Sequence, residues 1–320
     1  MEVNKWYDSF LENLHEIFPK SAQLTQEIME LLCLEREAVY RRLRKDVIFH
    51  ADEVIKIAAT WDISLDEAIG INSGKILFQM QPINYLNPTK REFINMQNRL
   101  KILSKVEAAP FSEYMEVCNK LPRPLSTRFL TLHRFGIFNW AYQYAQDESY
   151  KQFSKIILPE KVLQEIEHYK KKITCINISN FVLDPHIFIN IVDNIKYFHS
   201  IMLISDEEKD ILKEELFALI DFMMEIAERG FYFENKNKVF FYVSKLCIDT
   251  NYSFLYSDPL KVCRIHAFGK YDIASFDLEM VNSFKAWMNL KKRSSIQISE
   301  ANEKDRIEYF SEQRQIVESL

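Results

Sequence analysis

Along the first seventy residues apolar side chains return every three or four positions, the spacing that lines one face of a helix. Trp6, Phe10, Leu14 and Ile17 do so in "WYDSFLENLHEIF", until Pro19 stops the run. The same pattern predicts helices over 25–32, 35–45, 50–61 and 64–70. The last is opened by a Ser64/Glu67 capping box and ended by Gly70. Five short helices make one small bundle, and residues 1–72 are expected to form a domain.

Residues 71–88 keep no period and contain Pro82 and Pro88, so a linker is expected over 73–88. From Pro88 the helical spacing resumes, with Phe93, Met96, Leu100 and Leu103 on one face, and residues 89–320 are expected to form the second domain. Helical spacing continues through "RFLTLHRFGIFNWAYQYA", "EKVLQEIEHYKKKI" and "PHIFINIVDNIKYFHSIM". A long helix then runs from a Ser205/Glu208 capping box to Gly230. "FYFENKNKVFFYVSKLCI" and "YSFLYSDPLKVCRIHAF" are rich in aromatic and β-branched residues and broken at Asn235–Asn237 and Asp258–Pro259. They read as two hairpins. Helices return at about 277–292 and 300–318. The expected class is mainly α, a five-helix first domain followed by a larger helical domain with a small antiparallel sheet.

Composition points the same way. Five glycines and nine prolines in 320 residues leave few turns for a large β fold or for glycine-rich nucleotide loops. The most apolar stretches carry Asp193, Lys196 and Asp221, which argues against a membrane span. "MEVNKWYDSF" has no export-signal pattern, so a cytoplasmic location without membrane partners is expected. Cys33, Cys118, Cys175, Cys247 and Cys263 are scattered and read as reduced thiols. Cys263 and His266 lie three apart in an expected strand and so on opposite faces, which argues against a zinc site with Cys247. "GINSGK" lacks the spacing of a phosphate loop, and no nucleophile elbow or HExxH pattern occurs. No catalytic activity, metal or cofactor is expected.

Charge singles out one segment. The chain carries a net −5, yet Arg36, Arg41, Arg42, Arg44 and Lys45 fall within ten residues. On a helix starting at Arg36, Val39 and Leu43 share the apolar edge, while Arg36, Glu37, Tyr40, Arg41 and Arg44 fan over the outer face. The preceding helix supplies Ile28, Leu31 and Leu32 to the same core, and only "CLE" separates the two. A helix, a tight turn and a second helix with a basic outer face is the geometry that enters a DNA major groove.

"TQEIMELLCLEREAVYRRLRKDVIFHADEVIKIAATWDISLDEAIG" resembles a λ-repressor-like helix-turn-helix domain of the XRE type over about 45 residues. The resemblance implies a recognition helix at 35–45, base contacts from Arg36, Glu37, Tyr40 and Arg41, and a phosphate contact from Gln26. Arg42, Arg44 and Lys45 suit further phosphate contacts. At the turn, Cys33 stands where the family usually has glycine. The chain as a whole is similar to bacterial regulators in which such a head precedes a long body.

The expected function is therefore sequence-specific transcriptional regulation, with double-stranded DNA as partner. The large second domain would serve homodimerisation and the sensing of a small-molecule or protein effector. The opposing feature is charge: residues 1–74 hold eight Lys/Arg against fourteen Asp/Glu, a net of −6. Residues 75–107, with six Lys/Arg against two Asp/Glu, could extend a DNA footprint. The alternative is a helix-turn-helix fold reused as a protein–protein interaction module without DNA binding.

Overall fold

The helical spacing of apolar residues in the first seventy positions closes around one core. In the computed structural model, which describes residues 5–69, 76–80, 87–107, 109–145, 147–267, 269 and 271–320, the chain divides into two units, Met1–Ile76 and Leu77–Leu320. The first unit contains α1 (Lys5–Ile17), α2 (Ser21–Leu32), α3 (Arg36–Leu43), α4 (Ala51–Trp61) and α5 (Leu65–Ile69). Its core joins Phe10 and Leu14 of α1, Leu24 and Ile28 of α2, Val39 of α3 and Ile57 of α4, all fully buried. Tyr7 ties the α3–α4 connection to α1, its hydroxyl donating to Arg42 O (3.0 Å) and accepting from the Phe49 N–H (3.2 Å). The Glu67 side chain, Gly70 and the "GINSGK" segment lie outside the described residues.

The second unit runs α6 (Pro88–Glu107), β1 (Ser112–Cys118), α7 (Arg123–Ser126), α8 (Leu130–Tyr144), α9 (Glu160–Ile173), β2 (Ile178–Leu183), α10 (Ile189–Ser200) and α11 (Asp206–Arg229). It continues with β3 (Lys238–Val243), β4 (Tyr252–Ser257), β5 (Leu260–Ala267), β6 (Tyr271–Ser275), α12 (Leu278–Arg293), β7 (Ile296–Gln297) and α13 (Glu303–Glu318). Among the described residues the strands form one seven-stranded sheet in the order β6-β5-β4-β1-β2-β3-β7. β1, β2 and β3 are parallel, joined by helical crossovers, and the flanking strands are antiparallel.

This corrects the expected fold class. The protein is not mainly helical with a small antiparallel sheet: a substantial mixed sheet organises the larger unit. The segment expected to be a first hairpin supplies only β3, which pairs in parallel with β2, while Phe231 and Lys238 make one isolated bridge. Few glycines are compatible with this sheet because parallel strands are connected by helices, which need no tight glycine turns. The second hairpin forms as β4 and β5 around Asp258–Pro259. The Ser205/Glu208 capping box and the left-handed Gly230 delimit α11 as the pattern indicates.

Helices cover both faces of the sheet. Tyr114, Phe181, Phe241, Leu255 and Val262 face the main core with α6, α8, α9, α10, α11 and α13. Met115, Val117, Val182, Phe254 and Cys263 face Val281, Phe284 and Met288 of α12. Of the segment expected to be a linker, residues 77–80 extend the sheet edge: Gln79 and Ala274 exchange backbone hydrogen bonds of 2.7 and 2.9 Å. Among the described residues no helix is long and apolar enough to cross a membrane.

Candidate functional site

Among the described residues two places stand out for concentrated polar chemistry, one in each unit. In the first, α2 ends at Cys33, whose left-handed backbone (φ 53°, ψ 42°) lets its N–H reach Met29 O, and Glu35 in extended conformation opens α3. Val39 is buried, so the opposite face of α3 turns outward with Arg36, Glu37, Tyr40 and Arg41 exposed. The i, i+3, i+4 spacing brings these four together. Among the described residues no acid pairs with Arg36 or Arg41.

The other sequence-derived candidates are engaged within the unit. Arg42 turns inward, its side chain 11% exposed. Its Nε and terminal nitrogen donate to both oxygens of Glu53 at 2.9 Å, and a further bond runs to Ala38 O. Glu53 also accepts from the His50 N–H (2.8 Å), so the pair locks α3 to the start of α4. Arg44 pairs with Glu37 (2.9 Å) and Lys45 with Asp8, all of them exposed. Gln26 is exposed and donates to Glu30 (2.6 Å). Arg44, Lys45 and Gln26 thus remain on the surface, and Arg42 does not.

The second place is a cavity of about 430 Å³ at the carboxyl end of β1, within the roughly 300–1,000 Å³ usual for small-molecule sites. Strand register builds its floor. Tyr114, Leu255 and Val262 make one apolar row across β1, β4 and β5. Two residues further along β1 the row becomes Glu116, Ser253 and Arg264, and beyond it Asn251, His266 and Asp272 line the cavity. The walls come from Lys120 and Arg123 after β1, from the Gly136/Trp140/Tyr144 face of α8, and from Asn190 and Asn194 of α10. The carboxyl ends of strands in such sheets are where α/β proteins place ligands, because the crossover helices open there.

The floor is a hydrogen-bonded network. Glu116 accepts from the Tyr114 hydroxyl (2.8 Å) and from Asn251 Nδ2 (3.0 Å). Burial pushes its pKa up to about 7, and the two hydrogen bonds offset only part of that. Asp272 has Arg99 on Oδ2 (2.7 Å) and His266 Nδ1 on Oδ1 (3.0 Å). Burial alone would raise the Asp272 pKa, but these partners hold it well below the usual carboxylate range. Tyr169 of α9, buried beneath the cluster, is raised to about 12 by burial.

Sequence reasoning did not find this network. Its members come from α6, β1, α9, β5 and β6 and from Asn251 just before β4, and they follow no local motif. The signals that existed were a glutamate inside the apolar run "YMEVC" and the alternation of charges in "CRIHA". Cys263 packs under α12 while His266 lines the cavity, so the two lie on opposite faces, and Cys247 is exposed.

Comparisons with models of protein families, with curated proteins and with solved structures find no match to this chain.

Proposed function

We propose that the chain is a sequence-specific transcriptional regulator of the XRE type, acting in the cytoplasm as a homodimer on double-stranded DNA. α3 lies in the major groove, and the second unit supplies dimerisation and effector sensing. One observation carries this reading. In a domain of net charge −6, Arg36 and Arg41 stand exposed beside Tyr40 on α3, and no acid among the described residues pairs with them. An unengaged guanidinium is the group that bonds guanine O6 and N7 bidentately. Glu37 can accept from cytosine N4, and Gln26, Arg44 and Lys45 can meet phosphates once they exchange their intramolecular partners. Arg42 is left out of the contact set, since it belongs to Glu53.

The test is a binding selection of the full chain against random duplexes at two salt concentrations, with Arg36→Ala/Arg41→Ala alongside. A roughly palindromic motif is expected, lost in the double variant, whereas Lys45→Ala should weaken all sequences about equally. Absence of enrichment at low salt would sink the reading and leave the outward face of α3 as a protein-contact surface.

A further inference from the structure

The cavity of the second unit has an unbalanced charge inventory. Its lining holds four cations, Arg99, Lys120, Arg123 and Arg264, against two carboxylates, Glu116 and Asp272. Both carboxylates are consumed by protein donors, Glu116 by Tyr114 and Asn251, Asp272 by Arg99 and His266. Arg264 is not matched in this way. It sits mid-row between Ser253 and Ala274 on the sheet floor, and among the described residues no hydrogen bond or ion pair engages its guanidinium. Burial and the neighbouring Arg99 push its pKa below the ordinary arginine range. A half-buried guanidinium without a partner is held at a cost that an incoming anion would relieve.

The α8 wall of the same cavity carries aromatic rings. Gly136, Trp140 and Tyr144 recur at i, i+4, i+8 along α8, with Asn139 and Gln143 beside them. The Trp140 and Tyr144 rings lie 5.9 Å apart, centroid to centroid. Glycine in the middle of a helix is an unfavourable choice, and at Gly136 it leaves that turn without a side chain where the cavity lies. Gly269 closes against the same aromatic pair: a Cβ there would come 3.0 Å from Trp140 Cδ1.

We propose that this cavity binds a small anion carrying a planar ring, its carboxylate or phosphate against Arg264 and its ring against Trp140 and Tyr144. The amides of Asn139 and Gln143, joined by a bond from Gln143 Nε2 to Asn139 Oδ1 (2.8 Å), read the polar edge of the ring once that bond is exchanged. Arg99 is a positioning residue: it occupies Asp272 Oδ2 at 2.7 Å, so that carboxylate acts on Arg264 through its charge and not through a hydrogen bond.

The experiment is calorimetric titration of the full chain, without DNA, with indole-3-carboxylate, adenosine 5′-monophosphate and inorganic phosphate. At least one ring-bearing anion should bind, at least about 10-fold more tightly than phosphate. Arg264→Gln should weaken it by about 10-fold or more, and Arg264→Lys by less, since it keeps the charge but loses the fork. Preference for the carboxylate or the phosphate probe identifies the head group, and either supports the site. Gly136→Leu, which adds a side chain to the cavity lining from α8, should abolish binding while circular dichroism stays unchanged, and it serves where Arg264→Gln fails to fold. Failure of both ring-bearing anions to bind at millimolar concentration overturns the proposal. Undiminished binding in both Arg264→Gln and Gly136→Leu, or phosphate binding as tightly as either ring-bearing probe, does so too. Because no DNA is present, failure here leaves the reading of α3 untouched, and the reverse also holds.

Discussion

Asn251 clamps Glu116 to the turn that follows β1. Its Nδ2 donates to Glu116 Oε1 at 3.0 Å, while its Oδ1 accepts from the backbone N–H groups of Asn119 (3.0 Å) and Lys120 (3.1 Å). One amide therefore satisfies a buried carboxylate and two backbone donors at once.

Asn251→Ala leaves all three without that partner. A loss of about 2–3 kcal/mol is expected, from the cost of stranding partly buried polar groups. The urea-unfolding midpoint at neutral pH measures it, and a change below about 0.5 kcal/mol would show that solvent takes over the role.

Glu116 should make stability depend on pH with a sign opposite to that of a salt-bridged acid. Its pKa in the folded chain is about 7 against an ordinary value of 4.5, so the folded state binds the extra proton between those values. Stability is then highest below about pH 4.5 for this group and falls as pH rises through 7, by about 3 kcal/mol in all. Glu116→Gln removes that slope. Facing groups that could add slopes of their own are Tyr114, Tyr169, Arg99, Arg264 and Asp272, none with an ordinary value between pH 5 and 8, and His266, which remains in both proteins. Unfolding free energies of parent and variant from pH 5 to 8 should diverge with rising pH, and parallel curves would count against a raised Glu116.

The arginines of α3 should separate into two kinds. Arg42→Ala breaks the two-pronged pair with Glu53, whose side chains are only 11% and 13% exposed, and should destabilise the first unit by about 2–3 kcal/mol. Arg36→Ala removes a side chain without an acidic partner and should stay within about 0.5 kcal/mol of the parent. Thermal unfolding of the two variants compares them directly, and equal effects would contradict the inward placement of Arg42.

Cys33 holds a left-handed backbone that glycine adopts without strain. Cys33→Gly is expected to stabilise the first unit by about 0.5–1 kcal/mol, read as a rise in melting temperature. A fall would mean that the thiol contributes more than the strain costs.

Helices announced themselves in the sequence where one face is buried and the other wet, as in α1, α4 and α11, because that asymmetry writes a period of 3.6 into the chain. β1 and β2 left no such trace. Both lie at the sheet centre with helices on either side, so "SEYMEVC" and "ISNFVL" are buried on both faces and do not alternate. Their polar residues masked them further. Glu113 and Asn180 meet Lys285 and Lys292 of α12 at 2.7 and 2.9 Å, and Glu116 enters the cavity. The α3 face was legible because its residues are neighbours in one helix. The cavity was not, because only strand register brings Glu116, Arg264 and Asp272 onto one floor.

Arg99 and Asp272, which meet at 2.7 Å, are separated by 173 residues, the first on the opening helix of the second unit and the other on an edge strand near its end. Both ends of that 173-residue span must leave the ribosome before this wall can exist. A nascent chain cut short before β6 would have most of the helices and the parallel strands but not this wall. Any small molecule that recognised only the finished wall would draw late folding intermediates toward the native state by mass action.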